Sequence, residues 1–107
     1  MTMKFAKSIH STITVTTAGT QVVAGDNDTI APVMLIFTAA TANTNPMFVG
    51  LSDVATTKHI ADLPAGESFT LDLQTFCSKF GRQLKLSDFY IDATTNGEKC
   101  HVFAIGK

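Results

Sequence analysis

The side chains best suited to chemistry in this sequence are three histidines (His10, His59, His101), two cysteines (Cys77, Cys100) and nine scattered acids. Metal binding needs such groups at close, repeated spacings such as CxxC or HxxxH, and none is present. Asp26-Asn27-Asp28 lines up three oxygen donors, but the spaced acids and distant Glu of a calcium loop are missing, so the stretch reads as a turn. The one suggestive pair is Asp92 with His101, which face each other if the chain folds back at Asn96-Gly97. A carboxylate beside an imidazole is half of a hydrolytic triad. The nucleophile is missing, because there is no G-x-S-x-G elbow and no catalytic signature around Cys77 or Cys100. The seven glycines stand singly, so no loop can cradle a phosphate. The sequence points to no catalytic residue, no metal ligand set and no cofactor, and hence to a protein that is not an enzyme.

Asn96-Gly97 lies between two runs of strand formers, Phe89–Thr95 and Glu98–Ile105. The dipeptide suits a type I′ hairpin turn, whose two central residues both need positive φ. Such a hairpin sets Ala93 opposite Cys100, Ile91 opposite Val102 and Phe89 opposite Ala104 on an apolar face. Its other face pairs Asp92 with His101 and Tyr90 with Phe103, with Ile105 beyond. Further up the chain, Ile9–Thr16 alternates, with Ile9, Ser11, Ile13 and Val15 to one side and His10, Thr12, Thr14 and Thr16 to the other. Ala18-Gly19 makes a turn, and Thr20–Ala24 is predicted to pair back on that strand. Pro32 opens Val33–Phe37, a run apolar on both faces that fits a central strand covered from both sides or buried in an interface.

Met47–Gly50 reads as a short strand, Leu51–Ile60 as a loop in which His59 is exposed, and Leu63-Pro64-Ala65-Gly66 as a tight turn. In Glu67–Leu73, Phe69, Leu71 and Leu73 point inward. Gln74–Gln83 breaks the β pattern. It is either one helical turn placing Phe76 and Phe80 on the core or an excursion presenting phenylalanine, Lys79 and Arg82 to a partner. Seven or eight short strands separated by turn signals predict an all-β, single-domain antiparallel β-sandwich of jelly-roll-like form. The sandwich occupies residues 9–107, behind an arm of residues 1–8 that is either frayed or docked on a neighbour.

Only 16% of the residues are charged, against about 25% in ordinary globular domains, while threonine occurs sixteen times. A weakly charged, Thr-rich exterior suits a protein packed against others. The net charge of −1 and the absence of clustered cations argue against a nucleic-acid partner. No apolar run approaches the ~20 residues of a membrane span, so no membrane association is expected. The first residues lack a signal-peptide core, which predicts synthesis and folding in a cytoplasm, with both cysteines as free thiols.

From Asn45 onward the order of elements is distinctive: Val49-Gly50, Ser52-Asp53-Val54, the turn Leu63-Pro64-Ala65-Gly66-Glu67-Ser68, Leu86-Ser87-Asp88, then an aromatic strand and a closing hairpin. This resembles small all-β virion proteins of tailed bacteriophages, among them capsid decoration (cement) proteins and tail or head-fibre domains. The resemblance implies a structural component of a virion, assembled in the host cytoplasm. Its partner would be the major capsid protein or another virion protein, and it would form a homo-oligomer, trimer or dimer. A neck, tail or head-fibre component is the alternative within that class, and a carbohydrate-binding surface module the alternative outside it. The candidate interface residues are Met3, Phe5, Phe76, Phe80, Arg82, Tyr90 and Phe103. For Tyr90 and Phe103 the competing reading is a second layer of core.

Overall fold

A computed structural model describes residues 7–25, 32–55, 57–73 and 84–106, and these residues form eight strands. These are β1 (Lys7–Val15), β2 (Val22–Val23), β3 (Pro32–Ala39), β4 (Met47–Gly50), β5 (Ala61–Leu63), β6 (Ser68–Asp72), β7 (Tyr90–Ala93) and β8 (Glu98–Gly106), with a 3-10 turn at Leu86–Asp88. They build a front sheet in the order β1-β8-β3-β6 and a back sheet in the order β2-β7-β4-β5, antiparallel throughout. The pairs β1–β8, β2–β7, β3–β6 and β4–β5 are those of one long hairpin rolled over on itself. This is the jelly-roll sandwich expected from the spacing of short strands and turns.

The layering follows from side-chain alternation. In β8, Cys100, Val102 and Ala104 are buried while Lys99, His101, Phe103 and Ile105 point away from the core. Leu35, Phe37 and Ala39 of β3 and Leu71 of β6 fill the same layer. Met47, Val49, Leu63, Ile91 and Ala93 answer them from the back sheet. Phe37 and Phe89 meet across the core with ring centroids 6.2 Å apart and planes tilted by 55°. Burial of this set at about 25 cal/mol per Å² is the main force joining the sheets.

The expected hairpin at Asn96-Gly97 does not form. β7 lies in the back sheet between β2 and β4, and β8 lies in the front sheet between β1 and β3, so neither has an edge left for the other. Among the described residues only glycines have positive φ, with Gly97 at +84°. The turn therefore lacks the second positive φ that type I′ geometry needs, and it arches from one sheet to the other. Its polar groups go elsewhere: Gly97 N–H donates to the Val15 carbonyl at 2.8 Å, and Asn96 Oδ1 accepts from Ala18 N–H at 2.7 Å. Ile91, Ala93, Cys100 and Val102 are all buried, as the alternation requires, but they face one another across the core. Likewise β2 pairs with β7 and not with β1. The first strand begins at Lys7, inside the stretch read as an arm. The three-residue β5 adds a strand between the Leu51–Ile60 loop and the Leu63–Gly66 turn, ending on the first residue of that turn.

Candidate interaction surface

The register of the front sheet decides what its outer face presents. One row across the strands runs Ser8, Ile105, Met34 and Asp72, the next His10, Phe103, Ile36 and Thr70, and the third Thr12, His101, Thr38 and Ser68. The first two rows put Met34, Ile36, Phe103 and Ile105 side by side on β3 and β8, with Met34 36% exposed and the others half-buried. The third row is polar and internally bonded. Thr12 Oγ1 lies 3.0 Å from His101 Nδ1, and Thr38 Oγ1 lies 2.8 Å from Ser68 Oγ. His10 stacks on His101 at 5.9 Å between centroids and leans on Phe103 at 6.3 Å. The result is an apolar centre on rigid strands, bordered by hydroxyls and imidazoles.

The outer face of the back sheet is different because the 51–60 loop covers it. Phe48 points outward from β4 yet is only 6% exposed, with the His59 ring 4.9 Å from its own. Val54 is 4% exposed and seats over Gly50, where an added Cβ would come within 2.9 Å of Val54 Cγ2. Ile60 N–H to the Val49 carbonyl, Val54 N–H to the Leu51 carbonyl and the Ala55–Lys58 bridge hold the loop in place. Gln21 Nε2 donates to the Ser52 carbonyl. At the tip, Lys58 Nζ lies 2.8 Å from Asp53 Oδ2, and that ammonium holds the Asp53 carboxyl below its usual range.

Asp92 and His101 lie in different sheets and do not pair. Asp92 is buried and accepts from Gly19 N–H at 3.1 Å and Ala93 N–H at 2.8 Å, so it anchors the turn after β1. Glu98, which no motif marks, is also buried. Its carboxylate accepts from Thr44 N–H at 3.0 Å and Thr44 Oγ1 at 2.7 Å, pinning the loop between β3 and β4. Both acids are satisfied by hydrogen bonds, which is what a buried carboxylate requires. Cys100 is a free, buried thiol whose pKa burial pushes up to about 12, which leaves it inert as a nucleophile. Among the described residues no three His, Cys, Asp or Glu side chains gather into a group that could hold a metal ion.

Of the candidate interface residues, Met3, Phe5, Phe76, Phe80 and Arg82 lie outside the described residues, as do the Asp26–Asp28 turn and Cys77. Tyr90 and Phe103 fall on opposite outer faces of the sandwich and so cannot share one surface or pair across a hairpin. Phe103 belongs to the apolar centre of the front sheet. Tyr90 borders a groove of about 300 Å³ on the other side, lined also by Leu51, Ser52, Leu84, Ser87 and Asp88. Met34 and Ile36 join the front surface without having been singled out. Their signal was the run VMLIF, which is apolar at outward as well as inward positions.

No family model matches the chain, and no curated protein matches it in sequence. Among solved structures it is similar to one from work described as "Bacillus endospore appendages form a novel family of disulfide-linked pili". That similarity has a TM-score of 0.52 at 14% identity and covers 95% of this chain and 87% of the other. It is a likeness of fold.

Proposed function

We propose that this protein is a structural component of a multi-copy particle, and specifically a capsid decoration protein that binds the major capsid protein shell. The observation that carries this reading is the open apolar centre of the front sheet, Met34, Ile36, Phe103 and Ile105. A single sandwich has no use for four large apolar side chains on the outside of a regular sheet, whereas a face buried against a neighbour does. The resemblance from Asn45 onward supplies the particle. Many copies of one modest contact would stabilise a shell by avidity.

The test is co-sedimentation of the protein with phage head shells, counting copies bound. Saturation at hundreds of copies, lost in Phe103→Lys and Ile36→Lys, supports decoration. A handful of copies favours a neck, tail or head-fibre position. No binding overturns the shell reading.

The similarity to a pilus structure favours a second reading, a subunit of a filament. A disulfide link through Cys100 does not fit that reading, because the thiol is sealed between the sheets.

A further inference from the structure

Sandwich sheets have edges, and the four edges here differ in how they are protected. β2 and β5 are two and three residues long, too short to template another strand. β6 has five residues and carries Asp72, with Glu67 just before it. β1 has nine residues, pairs only with β8 among the described residues, and carries no charged side chain from Ser8 to Val15. It has no proline and no bulge in its pairing with β8. Natural edges are blunted by such devices, and on β1 the one charge stands at its first residue, Lys7, leaving the eight residues that follow without any.

The sequence of β1 is also symmetric in side-chain character about Ser11. Ser8 corresponds to Thr14, Ile9 to Ile13 and His10 to Thr12. About a two-fold axis residue i meets j while j meets i, so pairing centred on Ser11 sets like against like, Ile9 against Ile13 twice over. Ile9 and Ile13 face the core side but remain half-buried at the open edge.

We propose that two copies of this chain pair through β1, antiparallel about a two-fold axis at Ser11, to give one continuous eight-stranded front sheet. Ile9 of each copy then covers Ile13 of the other on the core side, and His10 lies beside Thr12 on the outer side. The Ser8–Val15 stretch is uncharged and meets its own copy without repulsion, and Lys7 falls opposite Val15 of the other copy. The apposed edges are about 30 Å long and one sheet layer is about 10 Å deep, so each copy buries about 300 Å². The total of about 600 Å² is that of a weak, transient contact. This pairing does not depend on the shell-binding face, which lies on β3 and β8.

Sedimentation velocity of the full chain from about 1 to 500 µM reads the proposal directly, since weak specific interfaces fall in this range. The expected result is a shift from the 11.4 kDa chain to twice that mass as concentration rises. Ser11→Lys puts two ammonium groups together on the axis and leaves the monomer room at its open edge, so it abolishes the shift. Ser11→Glu does the same, and mixing the two variants restores the dimer. In a Cys77→Ser background, Ser11→Cys crosslinks on oxidation, because residues on the axis fall within disulfide reach. Thr14→Cys, which meets Ser8, does not crosslink. A monomer at every concentration overturns the proposal, as does a dimer indifferent to Ser11→Lys. Unchanged far-UV circular dichroism of the single variants separates lost pairing from lost fold.

Discussion

The two outer faces of this sandwich are made from the same kind of strand and have met opposite fates. The back sheet carries Phe48 outward and buries it under the chain's own 51–60 loop, with Gly50 lacking the Cβ that would hold Val54 off. The front sheet carries Phe103, Ile36 and Met34 outward and has no described loop over them. Phe48 is covered from within the molecule, though the covering loop exposes Leu51 and Ile60 in turn, while among the described residues the front-sheet side chains stay half-exposed. The contrast teaches that outward apolar residues become readable only once their cover is known.

The largest contrast lies between the inner and outer sides of the front sheet, at Cys100 of β8 and Thr12 of β1. At pH 8, in a Cys77→Ser background, a thiol introduced by Thr12→Cys reacts with iodoacetamide at least about 10³-fold faster than Cys100. A pKa pushed up to about 12 removes most of the thiolate, and burial removes access. The same shift makes the fold alkali-sensitive. Above the ordinary thiol value of 9.0 the unfolded chain loses a proton that the folded state retains, so stability falls as pH rises towards about 12. The slope is about 1.4 kcal/mol per pH unit. Urea titrations at pH 8, 9.5 and 11 measure it, and Cys100→Val removes that component.

Under the roof, Phe48→Ala costs about 3 kcal/mol in chemical denaturation, as for a buried aromatic. Gly50→Ala forces the new Cβ onto Val54 and costs roughly 1–2 kcal/mol, lowering Tm by about 5–10 °C in a domain of this size. If Gly50→Ala leaves Tm unchanged, the roof is not seated on the sheet. On the open face, Phe103→Thr keeps a good strand former and removes only half-buried surface. It costs less than about 1 kcal/mol of stability in chemical denaturation, while the proposed function requires that it abolish shell binding. A loss on this face as large as that for Phe48→Ala would mean that the front is as covered as the back.

How much of this was legible depended on the range of the signal. Met47–Gly50 is a strand at the boundaries its composition predicts, and Phe69, Leu71 and Leu73 turn inward as alternation requires. β5 is three residues, too short for any period to register. Asn96-Gly97 misled because inward residues of a hairpin and inward residues of an arch have the same alternation. What separates them is whether β1 and β2 claim the two strands first, and that is settled by pairing across nearly the whole chain. The open surface needed the same long-range information. Met34, Ile36 and Phe103 become one patch only through the register of β3 on β8.

The place of β8 in the front sheet also constrains the order of events during synthesis. It is the last of the eight strands to be made, yet it lies between β1 and β3, and Lys7 pairs with Gly106. Until it emerges from the ribosome, β1 has no neighbour and β3 has only β6. At 5–20 residues per second, the first strand waits several seconds with its apolar side unpaired. Contacts this distant in sequence close slowly, on the scale of milliseconds to seconds. The nascent chain is thus most exposed to misassociation along the same Ser8–Val15 segment that remains an edge when folding is complete.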